Sequence, residues 1–106
     1  VRELELIAAL EPIFAPTRTS RVIRSLGDDA AVVRARGYAV TSLDAMVDAI
    51  HFNSEWLSAE EIGHRALGGA LSDLAAMGAE PGEAYMLLGL PSATPSDTAV
   101  GIARGA

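Results

Sequence analysis

The sequence contains no cysteine, which excludes a disulfide framework, a thiolate-held metal and a cysteine nucleophile. That fits a reducing, cytoplasmic setting. Basic residues are scarce: eight Lys and Arg stand against 14 Asp and Glu, a formal net charge of −6. Such a balance argues against a nucleic-acid or anionic-membrane partner, whose charge would repel the chain. A chain this acidic can handle phosphate only if cations bridge its carboxylates to the substrate. No run approaches the roughly 18 consecutive apolar residues of a membrane span, and no signal-peptide pattern opens the chain. A P-loop, a Gly-x-Gly-x-x-Gly turn and a Ser/His/Asp order are also missing, so neither a Walker-type ATPase nor a nucleophile triad is supported. There is no internal repeat. What is present is 106 residues, half of them hydrophobic, enough for one core and one domain but not two.

The pattern along the chain predicts an α+β domain. Leu4, Ile7, Ala8 and Leu10 make an apolar stripe over a helix from residue 3 to 14, weakened at Pro12 and suited to docking. Pro16 to Ser20 reads as a loop. The Gly27-Asp28-Asp29 turn then feeds a short buried strand ending at Val33. A second strand runs from Tyr38 to Asp44, and period-two alternation turns Ser42 and Asp44 the same way at its end. Met46 to Phe52 reads as a third strand carrying Asp48, a surface charge, and His51. Trp56 is most simply a packing residue. Ser58-Ala59-Glu60-Glu61 is a capping box that opens a long helix, and Gly78 with Pro81 beyond it marks the end. Mid-helix Gly68 and Gly69 suggest close packing against a sheet. Glu83 to Leu90 reads as a fourth strand, and Ser92 to Ala106 as the start of a helix capped by Thr94 or Ser96. The expected architecture is a mixed or antiparallel sheet covered by helices on one face.

One carboxylate is out of place. On a helical wheel Ile62, Ala66, Gly69, Ala70, Asp73 and Met77 share the apolar arc, while Glu61, His64, Arg65 and Ser72 form the polar one. A carboxylate on a buried arc must find cations or donors. Asp28, Asp29, Asp44 and Asp73 come from a turn, a strand end and a helix, with Ser42 beside Asp44. That oxygen-only set suits a hard cation such as magnesium, held by one or two carboxylates plus substrate phosphates. Plainer readings stand beside it. Gly-Asp-Asp is a common turn, Asp44 can cap a loop, Asp73 can be satisfied by backbone amides, and His51 can be a structural histidine.

Taken together, Gly27-Asp28-Asp29-Ala30-Ala31-Val32-Val33, Ser42-Leu43-Asp44 with His51-Phe52, and Ser72-Asp73-Leu74-Ala75-Ala76-Met77-Gly78-Ala79-Glu80-Pro81 resemble the N-terminal domain of the thiamine-monophosphate kinases. These enzymes belong with aminoimidazole ribonucleotide synthetase, selenophosphate synthetase and a hydrogenase-maturation protein. The resemblance runs from about Leu4 to Pro91, and the Ser72–Pro81 stretch is its most specific part. It implies direct transfer of the ATP γ-phosphate to thiamine monophosphate, with several magnesium ions and no phosphoenzyme. It also implies metal ligands at Asp29, Asp44 and Asp73, a metal contact at Ser42, and a substrate contact at His51. Pairing of two N-terminal sheets into a barrel-like homodimer core is implied as well, with nucleotide near that interface. Leu43 departs from the family, which has threonine there. The family's Gly-Gly-Asp-Thr segment and its C-terminal domain lie beyond residue 106, so the chain is expected to be a single, C-terminally truncated N-terminal domain, inactive alone. The alternatives are another ATP-dependent member of the superfamily or a non-catalytic dimerisation module of the same fold.

Overall fold

The computed structural model describes residues 2–106. Three helices and one two-stranded antiparallel sheet make an α+β arrangement: α1 (Glu3–Leu10), β1 (Val22–Arg24), β2 (Val32–Val33), α2 (Ala59–Ala76) and α3 (Ser96–Gly105). Helix α1 stops short of residue 14. The Ile13 and Phe14 amides both turn back onto the Leu10 carbonyl, at 3.0 and 3.2 Å, because Pro12 has no N–H with which to continue the ladder. The helix docks on α3 with Leu10 buried and Ile7 half-buried, while Leu4 and Ala8 of the expected stripe are exposed.

Helix α2 forms as its ends dictate. The Ser58 hydroxyl accepts from the Glu61 amide at 3.2 Å, and the Glu61 carboxylate accepts from the Ser58 amide at 2.8 Å. At the other end Gly78 sits at φ +66, where a side chain would be strained. The Ala79 and Gly78 amides, each at 3.0 Å, reach the Leu74 and Ala75 carbonyls, a Schellman closure. The N-terminal box has a consequence for acid stability. The Ser58 backbone and side-chain hydrogen bonds, with help from Arg65, hold the Glu61 carboxyl below its ordinary 4.5. A carboxyl whose pKa is lowered by folding stabilises the fold above its unfolded pKa and loses that contribution as pH falls through the folded one. Ser58→Ala is expected to cost about 1 kcal/mol of stability at neutral pH. It should also flatten the loss of stability below pH 4.5, measurable by urea unfolding across an acid pH series.

Helices α2 and α3 form the packed centre. Leu10, Ala99, Ile102 and Ala103 are the buried apolar side chains among the described residues, and Gly63 and Gly101 are buried with them. The helices meet through glycine: a Cβ on Gly101 would lie 2.7 Å from the Ala59 Cβ, and one on Gly63 would overlap the Ile102 carbonyl. Helix α3 is capped at Pro95 with no side-chain hydrogen bond, so neither Thr94 nor Ser96 serves as expected.

The sheet differs most from expectation. In place of a four-stranded sheet covered by helices, the structure has a ribbon pairing Val22 with Val33 and Arg24 with Val32. Of the first expected strand only Val32–Val33 pairs, half exposed rather than buried. Its partner, Val22–Arg24, has no counterpart in the sequence reading. Residues 38–44 and 83–90 enter no backbone–backbone hydrogen bond among the described residues, because their alternation has no neighbouring edge to pair with. Most of their apolar side chains face solvent, Leu43 at 90% and Leu87 at 97% exposure, while Leu88 and Leu90 are half-buried. Trp56 is likewise exposed rather than packed. The accessible surface is 8307 Å², against roughly 5,600 Å² for a compact monomer of 11 kDa. Much apolar surface is therefore left uncovered within the chain.

Residues 46–52 are a turn, not a strand. The Ile50 and His51 amides fold back on the Val47 carbonyl at 3.1 and 2.8 Å, and the Ala49 amide reaches Phe52 at 2.8 Å. Ala49 adopts φ 63, a left-handed conformation that costs a non-glycine residue roughly 1–2 kcal/mol. The Asp48 carboxylate competes for the amides a strand would use.

Candidate functional site

The segment carrying Ser42 and Asp44 crosses helix α2. The Ser42 hydroxyl donates to Asp73 Oδ2 at 2.7 Å. The Asp44 carboxylate rests on Gly69, where a Cβ would come within 2.6 Å of Oδ2. Gly69 and Asp73 are one helical turn apart, so their side-chain positions are separated by about 5–6 Å. Two carboxylates and a hydroxyl thus gather on one strip of α2, and the missing side chain of Gly69 makes the room. Gly68, in contrast, faces open space. Of the two glycines only Gly69 is explained by a close approach, and what approaches is the 42–44 segment rather than a sheet.

Asp73 is exposed, not buried as the helical wheel suggests. The wheel identifies the face correctly, but only the 42–44 segment crosses it at this height, and Met77 beyond it is 71% exposed. Asp29 does not join the group. It lies exposed on the Gly27 turn, its amide donating to Asp28 Oδ1 at 2.9 Å, while Asp28 Oδ2 pairs with Arg24. No group of three or more His, Cys, Asp or Glu side chains among the described residues is close enough to hold a metal by itself. Magnesium does not require that; it keeps several waters and is held by one or two carboxylates plus phosphate oxygens. The all-oxygen set of Ser42, Asp44 and Asp73 fits such an ion.

His51 has a local duty and a free edge. Its Nδ1 accepts from the Val47 amide at 2.9 Å, which places the ring proton on Nε2. Asp48 is more than a surface charge. Its Oδ1 accepts from the Ala49 and Ser54 amides, both at 2.9 Å, and Oδ2 accepts from the Ser54 hydroxyl at 2.6 Å. Those bonds, the Ser54 side chain foremost, hold the carboxyl below its ordinary 3.8. The sequence reading missed this staple and the seat at Gly69. An acidic residue followed by Ser at the sixth position was the available signal for the first.

Residues 27–106 match the family described as AIR synthase related protein, N-terminal domain. The chain belongs to that family. Among curated relatives, a thiamine-monophosphate kinase from Corynebacterium glutamicum is 39% identical over 82 residues, covering 74% of this chain and 25% of the relative. One from Bacillus subtilis is 36% identical over 92 residues, covering 85% and 28%. One from Synechococcus elongatus is 46% identical over 68 residues, covering 62% and 21%. The chain therefore spans about a quarter of the length of the relatives it matches. No solved structure matches it. No helix among the described residues is long and apolar enough to cross a membrane.

Proposed function

We propose that this chain supplies the N-terminal, magnesium- and nucleotide-binding domain of a longer, cytoplasmic thiamine-monophosphate kinase. The observation that carries the proposal is the approach of Ser42, Asp44 and Asp73 along one strip of α2, in a chain whose relatives bear that name. In this reading Asp44 and Asp73 are magnesium ligands, Ser42 adds a hydroxyl oxygen, and Asp29 serves a further magnesium ion. Bound magnesium neutralises charge on the transferring phosphoryl group. The terminal P–O bond of ATP breaks as the new bond forms to a phosphate oxygen of thiamine monophosphate, releasing ADP and giving thiamine diphosphate. No side chain of this chain acts as a nucleophile. His51 presents its Nε2 edge to the substrate. The exposed Tyr38, Leu43, Tyr85 and Leu87 support a homodimer in which a second copy covers the 38–44 and 83–90 segments, since patches of this kind mark interaction sites.

Leu43 favours a second reading, a non-catalytic dimerisation module of the same fold, because it offers no side-chain oxygen beside Asp44. One assay separates the two. The full-length gene product, given ATP, thiamine monophosphate and magnesium, is expected to release ADP and thiamine diphosphate in equal amounts, and EDTA should stop it. Residues 1–106 alone should give neither product. Absence of turnover in the full-length protein would favour the module, and turnover by residues 1–106 would overturn the reading of this chain as a domain that is inactive alone.

A further inference from the structure

We infer that Asp48 is a positioning residue that holds the His51 imidazole in one tautomer and one orientation; its functional arm rests on the substrate contact proposed for His51. An exposed histidine with two free torsions does not present a fixed edge. Here His51 is tied to Val47 twice, once through its ring and once through its backbone: the Val47 amide donates to Nδ1 at 2.9 Å, and the His51 amide donates to the Val47 carbonyl at 2.8 Å. That clasp exists only while the chain reverses at Ala49, a non-glycine residue at φ 63. Asp48 holds the reversal. Its Oδ1 takes the Ala49 amide, and it reaches across to the amide and hydroxyl of Ser54, five residues beyond Ala49. His51 lies inside the 48–54 loop so closed, and Val47 immediately precedes it. Packing supplies little else, because Val47, Ile50 and His51 are exposed and Phe52 is only half-buried. The three donors also hold the carboxyl below its ordinary value. The Nε2 edge of His51 has no hydrogen-bond partner among the described residues, so it is the edge left for a ligand.

The oxygen-by-oxygen pattern defines the test. Asp48→Asn keeps Oδ1 for the two backbone amides, and its Nδ2 can donate to a rotated Ser54 hydroxyl. Asp48→Ala loses all three bonds. Both variants are made in the full-length gene product. The His51 ring nitrogens are read by long-range proton–nitrogen NMR, assigned by the loss of signal in His51→Gln, and KM is measured separately for thiamine monophosphate and ATP. Asp48→Ala is expected to replace the single Nε2–H signature by a tautomer mixture and to raise KM for thiamine monophosphate about tenfold, with KM for ATP within about twofold. Asp48→Asn should remain close to the parent in both readouts. An unchanged His51 signature in Asp48→Ala overturns the inference, and so does an Asn variant that behaves like the Ala one. A mixed tautomer with unchanged KM upholds the positioning role and removes His51 from the proposed substrate contacts.

Discussion

Asp73→Asn in the full-length gene product is expected to lower magnesium-dependent phosphoryl transfer on the order of 10³-fold while leaving the melting temperature unchanged. The two halves of this expectation come from different properties of the residue. Asp73 is exposed, and its side chain makes one hydrogen bond, from Ser42. Asparagine can accept the same bond through its remaining oxygen, and surface substitutions away from caps and cores usually shift stability by no more than about 0.5 kcal/mol. The function proposed for the residue depends instead on charge. Asn is a neutral, weaker oxygen donor, so the strip would offer a bound magnesium ion one carboxylate, from Asp44, in place of two. The deficit should be partly overcome by excess magnesium, and a titration of rate against magnesium would show that as a rightward shift. Normal turnover at ordinary magnesium concentration would remove Asp73 from the metal site. A lowered melting temperature would instead mark it as a structural residue.

How far the sequence discloses this arrangement depends on the range of the interactions involved. Both ends of α2 are legible because their causes lie within four residues: the Ser58–Glu61 box and the Gly78 turn are local chemistry. The grouping of Ser42, Asp44 and Asp73 is legible only in part, because two independent periodicities say which side chains share a face, not that the two faces meet at Gly69. Period two turns Ser42 and Asp44 the same way, and period 3.6 puts Gly69 and Asp73 on one strip. Burial is a different matter. A wheel identifies a face but not what covers it, and so Asp73 was expected to be buried and is exposed. Strand pairing is non-local, and alternation in 38–44 and 83–90 reports a two-faced segment without supplying its neighbour. The strand expected over 46–52 is a turn for a third reason. Met46, Val47, Ile50 and Phe52 look like a strand, and one carboxylate, Asp48, offers the backbone a better set of bonds than a ladder would. Asp29, expected to converge with the other acids, stays apart from them: its turn is fixed by the bond from its own amide to Asp28, a local preference that carries no information about α2.

The largest stability effects are expected at two glycines of α2 and should have opposite signs. Gly63→Ala would place a Cβ against the Ile102 carbonyl, with the Ala106 amide nitrogen only 3.0 Å away. These are backbone atoms of α3, which cannot swing aside as a side-chain tip can, so one helix must move off the other. Overpacking of this kind costs up to about 3 kcal/mol, and the gain of about 1 kcal/mol in helix propensity offsets it only in part. The net loss of about 2 kcal/mol corresponds to a fall on the order of 10 °C in melting temperature for a domain of this size. Gly68→Ala, five residues along the same helix, meets nothing within 4 Å. It should therefore keep the propensity gain and raise the melting temperature by about 5 °C. Thermal unfolding followed by far-ultraviolet circular dichroism reads both. Equal shifts of one sign would mean that propensity, not the α2–α3 approach, governs this helix. Opposite signs would tie the stability of the domain to the closeness of two backbones at Gly63. That closeness also fixes α2, and with it the strip of Gly69 and Asp73 on which the proposed metal site stands.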